Sequence, residues 1–262
     1  MVDTPDEIEI SCEDGVQVIR IVRPDKKNAL LPAMYAAMHQ ALVDGDASAD
    51  VRAHIITGSG GVFTAGNDIK DFMSRASGDA APVGASPVHQ FISYLPRVEK
   101  PLIAAVDGLA VGVGVTMLFH CDLVYATPSA RFLTPFLDLG LLPEAASSLL
   151  IPRRMGHTRA FEMLVLGEPF PADRAREAGL VNAVVAADEL EATARGAAGR
   201  LAAKPPAALK TARDLMRGAC VDEIVERLEV ESCLFGERMS SPEAREAFQA
   251  FVEKRPADFT KL

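Results

Sequence analysis

Apolar and polar positions alternate through residues 7–12, residues 16–22 are mostly apolar, and Asp14-Gly15 lies between the two runs. That pattern predicts a β-hairpin turning on the Asp-Gly pair. A polar turn at 24–28 (PDKKN) follows. Pro32 then opens a stretch in which Met34, Met38, Ala41 and Leu42 recur at helical spacing, which reads as an amphipathic helix with proline in its first turn. Residues 53–57 are a short apolar run ended by Gly58-Ser59-Gly60-Gly61, the pattern of a buried strand entering a turn. VFTAGNDIKDF (62–72) is a second glycine turn feeding an amphipathic segment. Residues 74–86, rich in Ser, Gly, Ala, Asp and Pro, read as a mobile surface loop.

The chain is organised around residues 103–116, IAAVDGLAVGVGVT. A buried strand at 102–106 breaks at Asp107-Gly108, and the chain re-emerges through Gly112 and Gly114 into a second apolar run, expected to be helical over 112–120. Strand, glycine turn and helix in that order leave free backbone N–H groups at the helix start. Glycine there lets a ligand approach the main chain closely. A dinucleotide fingerprint would need glycine at 117, which is Met117, and a phosphate loop would need Gly-Lys-Ser/Thr. Two readings remain from the turn itself: an oxyanion site built on backbone N–H groups, and close packing of a helix on a sheet.

Further strands are expected at 123–126 and 181–185, an extended piece at 130–134, and helices at 87–98, 158–166 and 171–178. In PFLDLGLLPEAASSLL, Pro143 and Glu144 suit a helix first turn. After Asp188 strand patterning stops, and helices are expected at 188–203, 206–218, 221–238 and 242–252, broken at Pro205-Pro206 and at Ser240-Ser241-Pro242. The pattern thus divides the chain into an α/β core, 1–187, and an all-helical region, 188–262. Helical hairpins of this kind pack on another subunit as readily as on their own core.

Composition narrows the partners more than the chemistry. With 49% hydrophobic and 24% charged residues, the 262-residue chain can bury a full core. A net charge of -9 argues against broad nucleic-acid or anionic-membrane binding. Cys12, Cys121, Cys220 and Cys233 lack paired spacing, and the five histidines lack metal-ligand spacing, so reduced thiols and no metal are expected. The opening MVDTPDEIEI has no apolar stretch resembling a secretion signal, and no run reaches membrane-span length; a cytoplasmic location is expected.

Several segments in series resemble the crotonase family, the enoyl-CoA hydratase/isomerase superfamily. They are PDKKNAL (24–30), FTAGNDIKDF (63–72), AVDGLAVGVGVTMLFHCDLVYAT (105–127), ARFLTPFLDLGLLPEAASSLLIPRRMG (130–156) and FVEKRPADF (251–259). The resemblance spans nearly the whole chain. It implies a spiral of ββα units with an all-helical C-terminal trimerisation region, and a homotrimer or a hexamer made as a dimer of trimers. It also implies a coenzyme A thioester as ligand, in reactions of the fatty-acid β-oxidation type. Coenzyme A enters as part of the substrate, and no permanently bound cofactor is implied.

Family resemblance also supplies the site. Backbone N–H groups of Asn67 and Val113 would hold the thioester oxygen as it turns into an enolate. Lys26, Lys27 and Ala29 fall in the adenosine-phosphate wall, while Ala65, Gly66, Asp68 and Ile69 lie on the pantetheine turn. Lys70 and Lys254 could meet phosphates, the latter from a neighbouring subunit. Gly112, Pro135 and Phe136 complete the expected substrate-binding set. The family's hydratases carry two glutamates at positions that here hold Thr116 and Phe136, so the hydratase pair is missing. Glu144 stands where Δ3,Δ2-enoyl-CoA isomerases of the peroxisomal type carry their catalytic glutamate, and Leu141, Leu142 and Phe136 would give it an apolar surround that raises its pKa. The expected reaction is a 3-enoyl to 2-enoyl isomerisation with Glu144 as single base. A hydratase or other acyl-CoA lyase using Asp138 or Glu144, and a non-catalytic acyl-CoA-binding module, remain as alternatives.

Overall fold

A computed structural model of the chain describes residues 5–70, 73 and 86–262. The first two strands, β1 (Ile8–Glu13) and β2 (Val16–Ile21), pair antiparallel across Asp14 and Gly15, both at positive φ, as a two-residue hairpin turn requires. From β2 onward every neighbour in the sheet is parallel. The strands β3 (Ala53–Gly58), β4 (Leu102–Val106), β6 (Leu123–Ala126) and β9 (Ala183–Val184) add one after another to give a six-stranded sheet in the order β1-β2-β3-β4-β6-β9. Register sets Ile55 opposite Ile103 and Ile103 opposite Leu123.

A smaller sheet, ordered β5-β7-β8, is formed by β5 (Leu109–Val111), β7 (Arg131–Leu133) and β8 (Phe170–Pro171). Twice, at β4-β5 and β6-β7, the chain lays one strand in the large sheet, the next in the small one, and then a helical segment; after β3 the second strand is reduced to the bridge of Thr64 with Ala110. This is the spiral of ββα units that the resemblance implied. Strands buried on both faces read as continuous apolar runs rather than alternating ones, and all five residues of β4 are buried.

One face of the large sheet carries helices α1 (Pro32–Ala47) and α2 (Pro87–Tyr94), with Met34, Met38, Ala41 and Leu42 buried as the spacing predicts. Along the chain α3 (Val113–Thr116), α4 (Ser147–Met155), α5 (His157–Leu164) and α6 (Ala172–Glu177) follow. The other face is covered by α7 (Leu190–Ala202), whose Ala194, Ala197 and Ala198 lie on Val18, Ile55, Ile103 and Ala105. Small residues let this helix sit close to the β-branched strand face, and each fully buried valine or isoleucine there contributes about 1.5–3 kcal/mol.

Three expectations from the pattern need correction. The helix expected over 112–120 is a single α-turn, α3, continued by a 3-10 segment, Met117–His120, and the strand β5 precedes it. Helices expected at 206–218 and 221–238 are one 34-residue helix, α8 (Pro206–Met239), because Gly218 sits on its exposed side and breaks nothing. Glu144 is not in a helix first turn. The helix α4 starts three residues later, at Ser147. The last helix, α9 (Pro242–Glu253), is capped by Ser241, whose hydroxyl accepts from Ala244 N–H at 3.1 Å. Residues 71–72 and 74–85, which include most of the expected surface loop, lie outside the described residues.

Candidate active site

Between the small sheet, the glycine turns and α9 lies a cleft of about 500 Å³, a size suited to a small-molecule site. Its floor is made by two backbone loops that Thr64 ties together. Thr64 N–H donates to Leu109 O at 3.0 Å, Val111 N–H donates to Thr64 O at 3.0 Å, and the Thr64 hydroxyl donates to Asn28 O at 2.6 Å. Close approach of the loops depends on glycine. A Cβ on Gly66 would lie 2.8 Å from Val111 O, and one on Gly114 would lie 2.5 Å from the Thr64 methyl.

On the first loop, Leu30 N–H donates to Gly66 O and Asp68 N–H to Leu30 O, both close to 3 Å. In that parallel bridge the intervening Asn67 N–H points away from Leu30. On the second, Val113 is the first residue of α3, so its N–H has no acceptor within the helix. Both residues line the cleft. Among the described residues neither N–H has a hydrogen-bond partner. The Asn67 side chain is held from behind, where Tyr35 donates its hydroxyl to Asn67 Oδ1 at 2.6 Å.

The same cleft is lined by Glu144, Phe136, Leu139 and Leu141. Only 6% of Glu144 is exposed, and its Oε1 has no hydrogen-bond partner among the described residues. Burial, with the Glu231 charge adding to it, pushes the carboxyl up to about 7. Glu144 owes its placement to two consecutive non-glycine residues in the left-handed region, Ala145 and Ala146, both at φ 57°. Such residues cost about 1–2 kcal/mol each, and hydrogen bonds to His120 and Glu231 offset it. His120 donates from Nε2 to Ala145 O at 2.8 Å, and its ring is neutral because burial drives its pKa to about 4. Glu231, on α8, accepts from Ser148 N–H at 2.9 Å.

The profile of the enoyl-CoA hydratase/isomerase family matches residues 11–261. The chain belongs to that family. It is 34% identical to rat enoyl-CoA delta isomerase 2 over 95% of its own length, which is 64% of the rat protein. It is 33% identical to a probable enoyl-CoA hydratase of Bacillus subtilis, covering 96% of this chain and 98% of that one. Among solved structures, an enoyl-CoA hydratase/isomerase from Pseudoalteromonas atlantica superposes with a TM-score of 0.92 at 38% identity, covering 97% and 100% of the two chains.

Within this enoyl-CoA hydratase/isomerase fold, the sequence-derived residues divide by position. Lys27, Ala65, Gly66, Asn67, Ile69, Gly112, Val113, Pro135, Phe136 and Glu144 line one cleft. Lys26, Ala29, Asp68, Lys70 and Lys254 do not line it. Asp68 pairs with Arg23 at 2.8 Å and Ala29 O accepts from the same guanidinium, while Lys26, Lys70 and Lys254 are exposed. Besides Lys27, the cleft lining includes Arg255, itself paired to Glu246 and Glu253, each at 2.6 Å. Asp138 also lines the cleft, on its exposed side. Sequence reasoning passed over Tyr35, Thr64 and Glu231, and took His120 only as one of five histidines without metal-ligand spacing. Tyr35 and Glu231 sit at helical spacing, where they read as core and surface respectively. Thr64 lay inside a quoted segment and carried no signal beyond that. No helix among the described residues is long and apolar enough to cross a membrane.

Proposed function

We propose that the chain is a 3-enoyl-CoA isomerase that moves the double bond to C2 by a single-base 1,3-proton shift. The observation that carries this reading is Glu144, the buried carboxyl poised near pH 7 in the same cleft as two unpartnered backbone N–H groups. As carboxylate, Glu144 takes a proton from C2 of the 3-enoyl thioester. The electron pair passes through the C2–carbonyl system, and the negative charge that gathers on the thioester oxygen is held by Asn67 N–H and Val113 N–H. Each such donor is worth about 2.7–4 kcal/mol in the transition state. The carboxylic acid so formed returns the proton at C4, leaving the double bond between C2 and C3 and Glu144 as it began. A base near pH 7 suits both halves of that cycle, because it can accept and release a proton without a large imbalance. Hydration would need a second titrating group to activate water, and the family's positions for it hold Thr116 and Phe136.

In the same reading, Lys27 and Arg255 at the mouth face the nucleotide end of coenzyme A, and apolar residues exposed on α8, Leu215 and Met216, meet a second copy of the chain. The test is a parallel assay on trans-3-hexenoyl-CoA and crotonyl-CoA with the wild type and Glu144→Ala. Conversion of the 3-enoyl thioester, reduced roughly 10²–10⁴-fold in the variant, with little hydration of crotonyl-CoA, is the expected result. Fast hydration that survives Glu144→Ala overturns the reading and moves the chemistry to Asp138.

A further inference from the structure

Glu231 lies on α8, 87 positions beyond Glu144, and reaches the same turn from behind. It is 6% exposed. Its Oε1 accepts from Ser148 N–H at 2.9 Å, at the open N-terminus of the nine-residue α4. The Ala146 N–H and the Ser148 hydroxyl draw on the same carboxylate. Arg227, one turn earlier on α8, donates to the Ser148 hydroxyl at 3.2 Å. Glu231 Oε2, like Glu144 Oε1, is buried with no hydrogen-bond partner among the described residues. Two buried carboxyls therefore flank one strained turn, one aimed into the cleft and the other capping the helix behind it.

We infer that Glu231 is a positioning residue for Glu144: it fixes the turn at 144–148 through Ser148 and sets a second carboxyl behind the catalytic one. The inference rests on the reading of Glu144 as the base. Two consequences follow from geometry and charge. Anchoring the turn keeps the Glu144 carboxyl directed at the substrate despite two left-handed alanines. A second carboxylate nearby also makes ionised Glu144 less favourable, which strengthens it as a base.

Other charged groups around the turn do not supply this. His120, from the segment Met117–His120, is buried and neutral. Arg154 on α4 donates to Phe119 O, and Arg217 on α8 pairs with Asp122 at 3.4 Å. Burial pushes the Glu231 pKa up, whereas the Ser148 hydroxyl, the N–H groups of Ser148 and Ala146, and Arg227 pull it back down.

Two substitutions separate position from charge. Glu231→Gln keeps an oxygen for Ser148 N–H and removes the charge. Glu231→Asp keeps the charge and draws it back from Ser148. The readouts are the pH profile of 3-enoyl-CoA isomerisation and a carbon-13 NMR titration of the Glu144 carboxyl in glutamate-labelled protein, assigned with Glu144→Gln. For Glu231→Gln the titration midpoint should fall by roughly 0.5–1 pH unit from its wild-type value near 7. For Glu231→Asp the midpoint should stay near the wild-type value while kcat falls several-fold. A wild-type midpoint in folded Glu231→Gln, or equal losses of kcat in both variants with neither midpoint moved, overturns the proposal. The NMR titration does not depend on turnover. If Glu144→Gln retains full isomerase activity, the base assignment fails by itself, and coupling between the two carboxyls is still read directly.

Discussion

Replacing Glu144 with glutamine separates what this carboxyl does for chemistry from what it costs the fold. In the folded chain the group is almost fully buried, and its pKa stands near 7 against an ordinary 4.5, through burial first and the Glu231 charge second. Between those two values the folded state keeps a proton that the unfolded state has released. The unfolded state then binds fewer protons, so stability falls as pH rises through that window. Below about 4.5 the cost is absent, and above about 7 it is complete at about 3 kcal/mol. Glutamine has the same shape and is neutral throughout. Wild type and Glu144→Gln should therefore melt close together near pH 4.5, and the variant should gain steadily as pH rises to 7. For a chain of this size 1 kcal/mol shifts Tm by roughly 2–4 °C, so the gap at pH 8 should reach several degrees. Thermal melts of both proteins by circular dichroism, at equal concentration from pH 4.5 to 8.5, measure it. Every other titrating group is common to both, so the difference isolates position 144. A gap that does not grow between pH 5 and 7, or a variant less stable than wild type at pH 8, would refute the reasoning. The same variant should have lost isomerisation, making position 144 a case of stability given up for function.

Two further substitutions test the oxyanion floor. Tyr35→Phe removes the 2.6 Å hydrogen bond to Asn67 Oδ1; it should cost about 1 kcal/mol of stability and lower kcat more than it raises KM, whereas an unchanged kcat would show that Tyr35 serves packing alone. Gly66→Ala forces a side chain onto a residue at φ 82° and 2.8 Å from Val111 O. Thermal melts should show a loss of more than 1 kcal/mol, and turnover should drop further than the melt explains. Wild-type activity in a folded Gly66→Ala protein would mean that the spacing of the two loops is not what catalysis needs.

The large sheet was legible because its strands obey simple patterns. The Asp14-Gly15 pair between two short strand-like runs gave the hairpin, the short run at 53–57 gave a buried strand, and the unbroken apolar run at 102–106 gave one buried along its whole length. Helix boundaries were less so. The expected break near residue 219 fails because a glycine on the exposed side of a long helix costs only about 1 kcal/mol relative to alanine, too little to end a helix anchored at both ends by packing. Pro143 looked like a helix start because proline and glutamate favour a first turn. The chain instead places residues 145 and 146 in the left-handed region, and alanine gives no warning of that conformation.

The candidate site divides along the same line. Gly66 and Gly114 are needed because the two loops approach closely there, and Gly112 because its φ is 55°; such requirements are written directly in the sequence. The glycine turns therefore suggested backbone donors, and the family resemblance assigned them to Asn67 and Val113. What makes Glu144 chemically distinct is written there only in part: the apolar surround was expected from Leu141, Leu142 and Phe136, and the second carboxyl was not. Its pKa near 7 arises from burial by Phe136 and its neighbours and from Glu231, 87 positions away on another element. Read along α8, Glu231 is one acid among several on a charged helix, and only folding turns it into a cap for α4. A glycine turn can be read from the sequence, whereas a tuned carboxyl belongs to the packing around it. Chains that keep the glycine pattern can therefore differ in reaction through the elements that close on residue 144, and the name of a relative does not fix the chemistry of this cleft.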